Sequence, residues 1–307
     1  MLAGAIDGGG TKVMTGIVDD SGKILSSRTE SVPPKDVAAY FNRCAAMLKD
    51  CAAEVGVTLD KLDGVGMSIP GMTDGKDWVY GSPSAGWGPF SALSLLVPAL
   101  GLPAEKIRLE NDINACALAE LRFGGGGRDF VWLTISTGNG GAVVANGELV
   151  RGKSFCAGEL GHIKVEYDHP VRCGCGGYGC LEAHASGPAI ARMCREVGLD
   201  TDAAGCAALC RQGDERALSV YKTAGMYLGR ALAQLANTLN FEKAYLGGGV
   251  SRSLDLLMPS LRETFDRDAL PECRKAIIER THLGYEASLL GAASLVFGDR
   301  AEGTKAT

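Results

Sequence analysis

No part of this sequence is strongly basic. Lys and Arg never run beyond two in a row, and the formal net charge is −5. Nucleic-acid binders carry a basic stripe, so that class of partner is not expected. No apolar run approaches the ~18 residues of a membrane span. The opening stretch, MLAGAIDGGGTK, has no basic lead and only a short apolar run before an acid and glycines. It reads as a first strand and not as a targeting peptide. These absences point to a cytoplasmic chain away from membranes, where thiols stay reduced. The cysteines number 11, an odd count that cannot be fully paired.

What the sequence does have is length and glycine. At 307 residues it exceeds what one hydrophobic core usually serves, roughly 250–300 residues, so two domains are expected. Its 43 glycines gather in short runs, where backbone turns sharply or approaches a ligand.

One order of elements occurs twice. Residues 2–6 form a strand, Asp7–Lys12 a glycine loop, and 13–20 and 24–32 two further strands. Residues 130–152 repeat the pattern: strand, the loop TGNGG at 137–141, strand, an Asn146-Gly147 hairpin turn, strand. Each meander is followed by α/β sequence. Asp36 caps a helix with Val37, Tyr40, Phe41, Cys44, Met47, Leu48 and Cys51 on one face. Strands are expected at 64–71 and 106–111, and a helix at 112–123. The second half offers a helix at 215–240, strands at 243–247 and 275–279, a helix opened by Gly247–Gly249, and a last helix at 286–298. The expected architecture is α/β, two domains around a cleft. Residues 1–112, closed by the C-terminal helix at about 287–307, form the smaller domain. Residues 113–286 form the larger one.

A strand-to-strand turn rich in Gly and Thr presents backbone N–H groups to an anion. Asp7 sits where it could hold hydrated magnesium, a cation that takes few carboxylates and keeps substrate phosphates as ligands. The loop at 137–141 could grip the same phosphates, and the Gly247–Gly249 run could let an adenosine lie against the backbone. Two pattern matches are rejected. Gly147–Ser154 fits the P-loop spacing, and Gly174–Gly179 fits GxGxxG. The first lies in a strand leaving a hairpin, and the second has no strand leading in.

Glu110-Asn111-Asp112 stands where a strand meets a helix, the place where open α/β folds collect ligands. A carboxylate there can take a proton from a hydroxyl. Spacing alone favours Asp112 as the helix cap. Cys173, Cys175 and Cys180 give C-x-C-x4-C, three thiolates that need one more ligand for a closed structural zinc. Of the four histidines, His162, His169 and His184 are near enough in sequence, and spacing does not choose among them.

Together these motifs resemble the ROK family (repressors, open reading frames and kinases), and within it the bacterial ATP-dependent glucokinases. The stretches that carry the resemblance are AIDGGGTK, LENDINACALAE at 109–120, LTISTGNGGAVVANGELVRGKSFCAGELGH at 133–162, CGCGGYGCLEAHASG at 173–187 and LGGGVS at 246–251. The resemblance implies an actin-like ATPase (ribonuclease-H-like) fold, a homodimer, and phosphoryl transfer from magnesium-ATP to a hexose, glucose first. N-acetylmannosamine, N-acetylglucosamine and fructose are the alternatives. It implies Asp112 as the catalytic base. It implies His162, Cys173, Cys175 and Cys180 as zinc ligands, and Gly71, Asn111, Glu159, His162 and Glu182 as sugar contacts. Asp7, Gly9, Gly10, Thr11, Lys12, Thr137, Gly138, Gly248 and Gly249 would bind the nucleotide. Zinc would then hold a loop that carries Glu182 to the sugar. Gly8 and Asn139 stand where relatives are usually apolar, Ala142 where glycine is usual, and Ser84 where many carry a sugar-binding asparagine. The family's regulators begin with a DNA-binding domain of some sixty residues; a phosphate loop starting at residue 7 leaves no room for one.

Overall fold

The structure is a computed structural model and describes residues 1–10, 12–32, 36–82, 85–125 and 127–298. It resolves into two compact units. Among the described residues one is drawn from Met1–Gly126, Arg151–Cys156 and Leu283–Thr307, the other from Gly127–Val150 and Ala157–His282.

The first unit opens with β1 (Leu2–Gly8), β2 (Val13–Asp19) and β3 (Ile24–Glu30), then α1 (Val37–Glu54) and β4 (Gly64–Ile69). A small sheet of β5 (Met72–Thr73), β6 (Trp78–Gly81) and β7 (Phe90–Ser91) follows, with α2 (Leu93–Leu100), β8 (Ile107–Asn111) and α3 (Asp112–Phe123). The main sheet runs β3-β2-β1-β4-β8. The first three strands are antiparallel, and β4 and β8 pair parallel.

The second unit holds β9 (Phe130–Thr134), β10 (Gly141–Ala145), β11 (Glu148–Leu149), α4 (Leu181–Ala185), α5 (Gly187–Glu196), α6 (Ala203–Arg211), α7 (Glu215–Leu239), β12 (Lys243–Gly247), α8 (Leu254–Asp268) and β13 (Ile277–Arg280). Its sheet runs β11-β10-β9-β12-β13 with the same pattern of antiparallel and parallel pairs. The repeated order read from the sequence is therefore a repeat of sheet topology. The chain then returns to the first unit with α9 (Ala287–Phe297).

Alternation along β1 explains how the first sheet is covered on both faces. Ile6 joins the core under α1 and α2, where Tyr40, Phe41, Met47 and Leu48 are fully buried. Ala3 and Ala5 face the other way, toward Leu289, Ala292 and Ala293 of α9. Small residues on this face let α9 come very close. A Cβ on Gly66 would lie 1.8 Å from the Ala292 carbonyl oxygen, and one on Gly291 would lie 1.8 Å from that of Ala115 in α3. Helix α3 is thus packed against α9 and the first sheet. The division expected at residue 112 assigned it to the second domain; this packing assigns it to the first.

The expected cap of α1 is in place, with Asp36 Oδ1 accepting from Ala39 N at 3.0 Å. So is the hairpin: Asn146 and Gly147 both have positive φ, 55° and 80°, the conformation an Asn-Gly turn favours. The strand after that turn is much shorter than expected. It ends at Leu149, because Arg151–Cys156 pack with the first unit. The glycine run after β12 is followed by a 3-10 turn at Val250–Ser253, and the α-helix proper starts at Leu254.

Candidate active site

In the first unit three strand ends meet. Asp7 of β1 pairs with Ser68 of β4, and Ile69 pairs with Asn111 of β8. Asp7 Oδ1 accepts from Ser68 Oγ at 3.0 Å and from Ser288 Oγ, at the start of α9, at 2.7 Å. Burial raises its pKa, and the two serine hydroxyls offset part of that rise. Among the described residues both hydrogen bonds to Asp7 go to Oδ1, so Oδ2 is the oxygen a magnesium ion would take.

The cap of α3 is Asn111, not Asp112. Asn111 Oδ1 accepts from Ile113 N at 2.9 Å and Asn114 N at 3.1 Å, while its Nδ2 donates to the Gly71 carbonyl at 2.9 Å. Asn111 and Gly71 thus hold each other, and most of the Asn111 amide is committed to structure. Asp112 follows at the first helical position and accepts from Ile113 N at 3.0 Å. Relieved of the capping duty that spacing assigned to it, its carboxylate is available for chemistry. Burial, then the charge of Asp7, push its pKa up to about 7, against the pull of the Ile113 N–H. A carboxyl held there is half-ionised near neutral pH, where general bases work best.

Glu110 fixes this strand end. It is 2% exposed. Its Oε1 accepts from Asn111 N at 2.9 Å and Asn114 Nδ2 at 3.0 Å, and its Oε2 from Arg151 Nε at 2.7 Å. The Asp7–Lys12 loop turns through Gly9 N donating to the Lys12 carbonyl at 3.0 Å. The Tyr40 hydroxyl, rising from the core under α1, donates to the Gly9 carbonyl at 2.9 Å. Gly10 and Lys12 lie on this loop; Thr11, like Ser84, falls outside the described residues. Sequence reasoning gave no role to Ser68 or Ser288, read Tyr40 only as part of the packed face of α1, and read Glu110 only as one of the acids at this strand end.

In the second unit the thiols converge. His162, Cys173, Cys175 and Cys180 place one ligand atom each within 4.8 Å of one another. Cys175 Sγ and Cys180 Sγ are 3.7 Å apart, as are Cys173 Sγ and His162 Nδ1. Tetrahedral zinc with thiolate arms of ~2.3 Å sets its sulfurs about 3.8 Å apart, so this donor set fits zinc. The other candidate histidines are elsewhere: His169 is exposed, and the buried His184 accepts from Val171 N at 3.3 Å and packs on Tyr227. Lys164 Nζ donates to Cys180 Sγ at 2.9 Å.

The cluster positions the residues around it. Cys180 is the residue before α4, so whatever fixes its sulfur fixes Glu182 on the first turn. Glu182 Oε2 accepts from Asn139 N at 3.1 Å. This bond ties the cysteine loop to the Thr137–Gly141 loop. His162 turns Nδ1 to the thiols while Nε2 lies 3.8 Å from Glu159 Oε2. One imidazole can therefore ligate a metal and still present its other nitrogen to a hydroxyl. Asn139 is 4% exposed, and among the described residues neither Oδ1 nor Nδ2 of its side chain has a hydrogen-bond partner.

Beside these loops lies a cavity of about 620 Å³, lined by Thr137, Pro188, Ala203, Tyr221, Gly249 and Ser253 among others. That is within the usual ~300–1,000 Å³ of a small-molecule site. Gly248, at φ +83°, lets β12 turn into it; a Cβ there would lie 2.4 Å from the Ile135 carbonyl oxygen. Neither rejected pattern match forms a nucleotide loop: Gly147–Ser154 contains the short β11 and no helix, and Gly174–Gly179 lies in the cysteine loop.

The model of the ROK family matches residues 3–298. A glucokinase of Halalkalibacterium halodurans is 32% identical over 312 residues, covering 95% of this chain and 93% of its own. The crystal structure of a ROK hexokinase from Thermus thermophilus matches with a TM-score of 0.84 at 31% identity, covering 99% of this chain and 100% of that one. A ROK family glucokinase from Streptomyces griseus, solved with glucose and AMPPNP, matches with a TM-score of 0.79 at 31% identity, covering 96% and 99%.

Proposed function

The chain belongs to the ROK family, and on that premise we propose that it is an ATP-dependent hexose kinase that phosphorylates glucose. The observation that carries the reading is Asp112: a carboxyl at a strand end, excused from capping its helix, and pushed up to about 7 by burial and by Asp7.

In this reading the sugar hydroxyl gives its proton to Asp112 as its oxygen attacks the γ-phosphorus of ATP. The bond to the bridging oxygen breaks, and ADP leaves. Gly9, Gly10, Thr11 and Lys12, with Thr137 and Gly138, hold the phosphates. The 620 Å³ cavity beside Gly248 and Gly249 takes the adenosine. Asp7 would hold magnesium, which supplies charge neutralisation at the phosphoryl oxygens. Gly71, Asn111, Glu159, His162 and Glu182 hold the sugar hydroxyls. His162, Cys173, Cys175 and Cys180 would hold a structural zinc that keeps Glu182 in place. Most of the rate comes from positioning and electrostatics, as in phosphoryl transfer generally.

The test is ADP release with magnesium-ATP against glucose, mannose, fructose, N-acetylglucosamine and N-acetylmannosamine. Turnover strongest on glucose is expected. Turnover strongest on an N-acetyl sugar would move the substrate and keep the chemistry; silence on all five by folded, zinc-loaded protein would end the kinase reading. Light scattering on the same preparation tests the expected homodimer.

A further inference from the structure

A second, smaller pocket of about 280 Å³ lies in the second unit and shares only Thr137 and Pro188 with the larger cavity. Three arginines line it: the exposed Arg172 from the cysteine loop, and Arg192 and the exposed Arg195 from α5. Arg192 already pairs with Glu196; the like charges of Arg172 and Arg195 repel each other unless an anion sits between them. Arg192 is partly committed, with Nε to Glu196 at 3.1 Å and Nη1 to the Ala183 carbonyl at 2.8 Å. Among the described residues neither Arg172 nor Arg195 has an ion pair. The carboxylate on the wall, Glu182, turns its oxygens to Asn139 N and Cys173 Sγ. The pocket floor is the start of α5, a ten-residue helix capped by Ser186 with no acid in its first turn. Its positive dipole end adds to the arginines. Planar guanidinium forks match phosphate oxygens better than any other side chain does.

We propose that this pocket is a second anion site, binding a multiply charged phosphate compound next to the nucleotide. It rests on the kinase reading only for the identity of its neighbour. Two sources share the chemistry: a linear inorganic oligophosphate, and a sugar phosphate such as the reaction product. Thr137, on the rim of both spaces, would let an anion here alter phosphate handling in the first.

The experiment uses zinc-loaded protein saturated with magnesium and a non-hydrolysable ATP analogue, titrated calorimetrically with inorganic tripolyphosphate and separately with glucose 6-phosphate. At least one is expected to bind while the nucleotide cavity is filled, and to weaken as salt rises. Arg172→Ala with Arg195→Ala should weaken it about tenfold or more, since hydrogen bonds to charged groups are the strong ones. ATP-dependent sugar turnover and zinc content should persist. Because Arg172 adjoins a zinc ligand, Arg195→Glu alone, on the helix, is the second variant and should also weaken binding about tenfold or more. Which probe binds identifies the source. No binding of either probe to the nucleotide-saturated protein, or unchanged binding in both variants, overturns the proposal. A protein that binds the probe yet phosphorylates no sugar would keep the anion site and lose the kinase reading.

Discussion

Asp112→Asn is expected to make this protein more stable as it removes activity. The wild-type carboxyl is pushed from an ordinary 3.8 to about 7 by burial and by Asp7. A tenfold change in proton affinity is worth about 1.4 kcal/mol, so keeping Asp112 ionised costs the fold on the order of 4 kcal/mol. Near pH 4 and below, folded and unfolded chains both carry it protonated, and the cost vanishes. Between about pH 4 and 7 the unfolded chain loses the proton first, so stability falls as pH rises. Above 7 the cost is complete. Asparagine has the same shape and no charge to bury, so its advantage should be roughly a third complete at pH 5 and full at pH 8. At about 2–4 °C per kcal/mol for a large domain, a rise on the order of ten degrees is expected at pH 8. The assay is thermal melting of both proteins at pH 5 and pH 8, without nucleotide or added magnesium. A variant melting at or below wild type at pH 8 would refute the claim that the fold strains this carboxyl.

Three other changes probe the rest of the site. Cys175→Ser should leave the purified protein nearly free of zinc by elemental analysis and raise the sugar KM about tenfold or more; a variant that keeps both metal and affinity would show that the cluster holds no zinc. Asn139→Leu removes a buried amide whose oxygen and nitrogen are both unpaired, a burden of about 1–3 kcal/mol. Its melting temperature should rise, and a fall would mean that a bound water or ligand satisfies the amide. Tyr40→Phe deletes a hydroxyl bonded to the Gly9 carbonyl, worth about 1 kcal/mol. The KM for ATP should rise severalfold with the sugar KM unchanged; equal rises in both would mean a general loss of folding.

The parts of this fold that were legible in the sequence are those written in local pattern. Buried strands read as short apolar runs, and the Asn146-Gly147 turn fixed a hairpin. The face of α1 followed from the spacing of Tyr40, Phe41, Cys44, Met47 and Leu48. Short strands such as β5 and β7 carry no run long enough to see, and the pattern at β11 reads longer than the strand it forms. Asn111 and Asp112 are adjacent and both good caps; spacing favours Asp112, and the helix uses Asn111 because its Oδ1 reaches Ile113 N and Asn114 N. The fourth member of the thiol cluster lies 11 residues before Cys173, across a loop that only the fold closes. Ser288 reaches Asp7 across 281 residues, a partnership with no local signal. The same is true of Arg151 and Glu110, which meet because Arg151–Cys156 pack with the first unit.

The claim at the centre of this account is that Asp112 takes the proton from the sugar hydroxyl. Steady-state turnover of Asp112→Asn at saturating magnesium-ATP, with the best sugar of the panel, tests it most directly. General-base help is typically worth 10²–10⁴ in rate, so kcat should fall at least a hundredfold while the sugar KM stays within a few fold. A variant that turns over at close to the wild-type rate would remove Asp112 from the reaction.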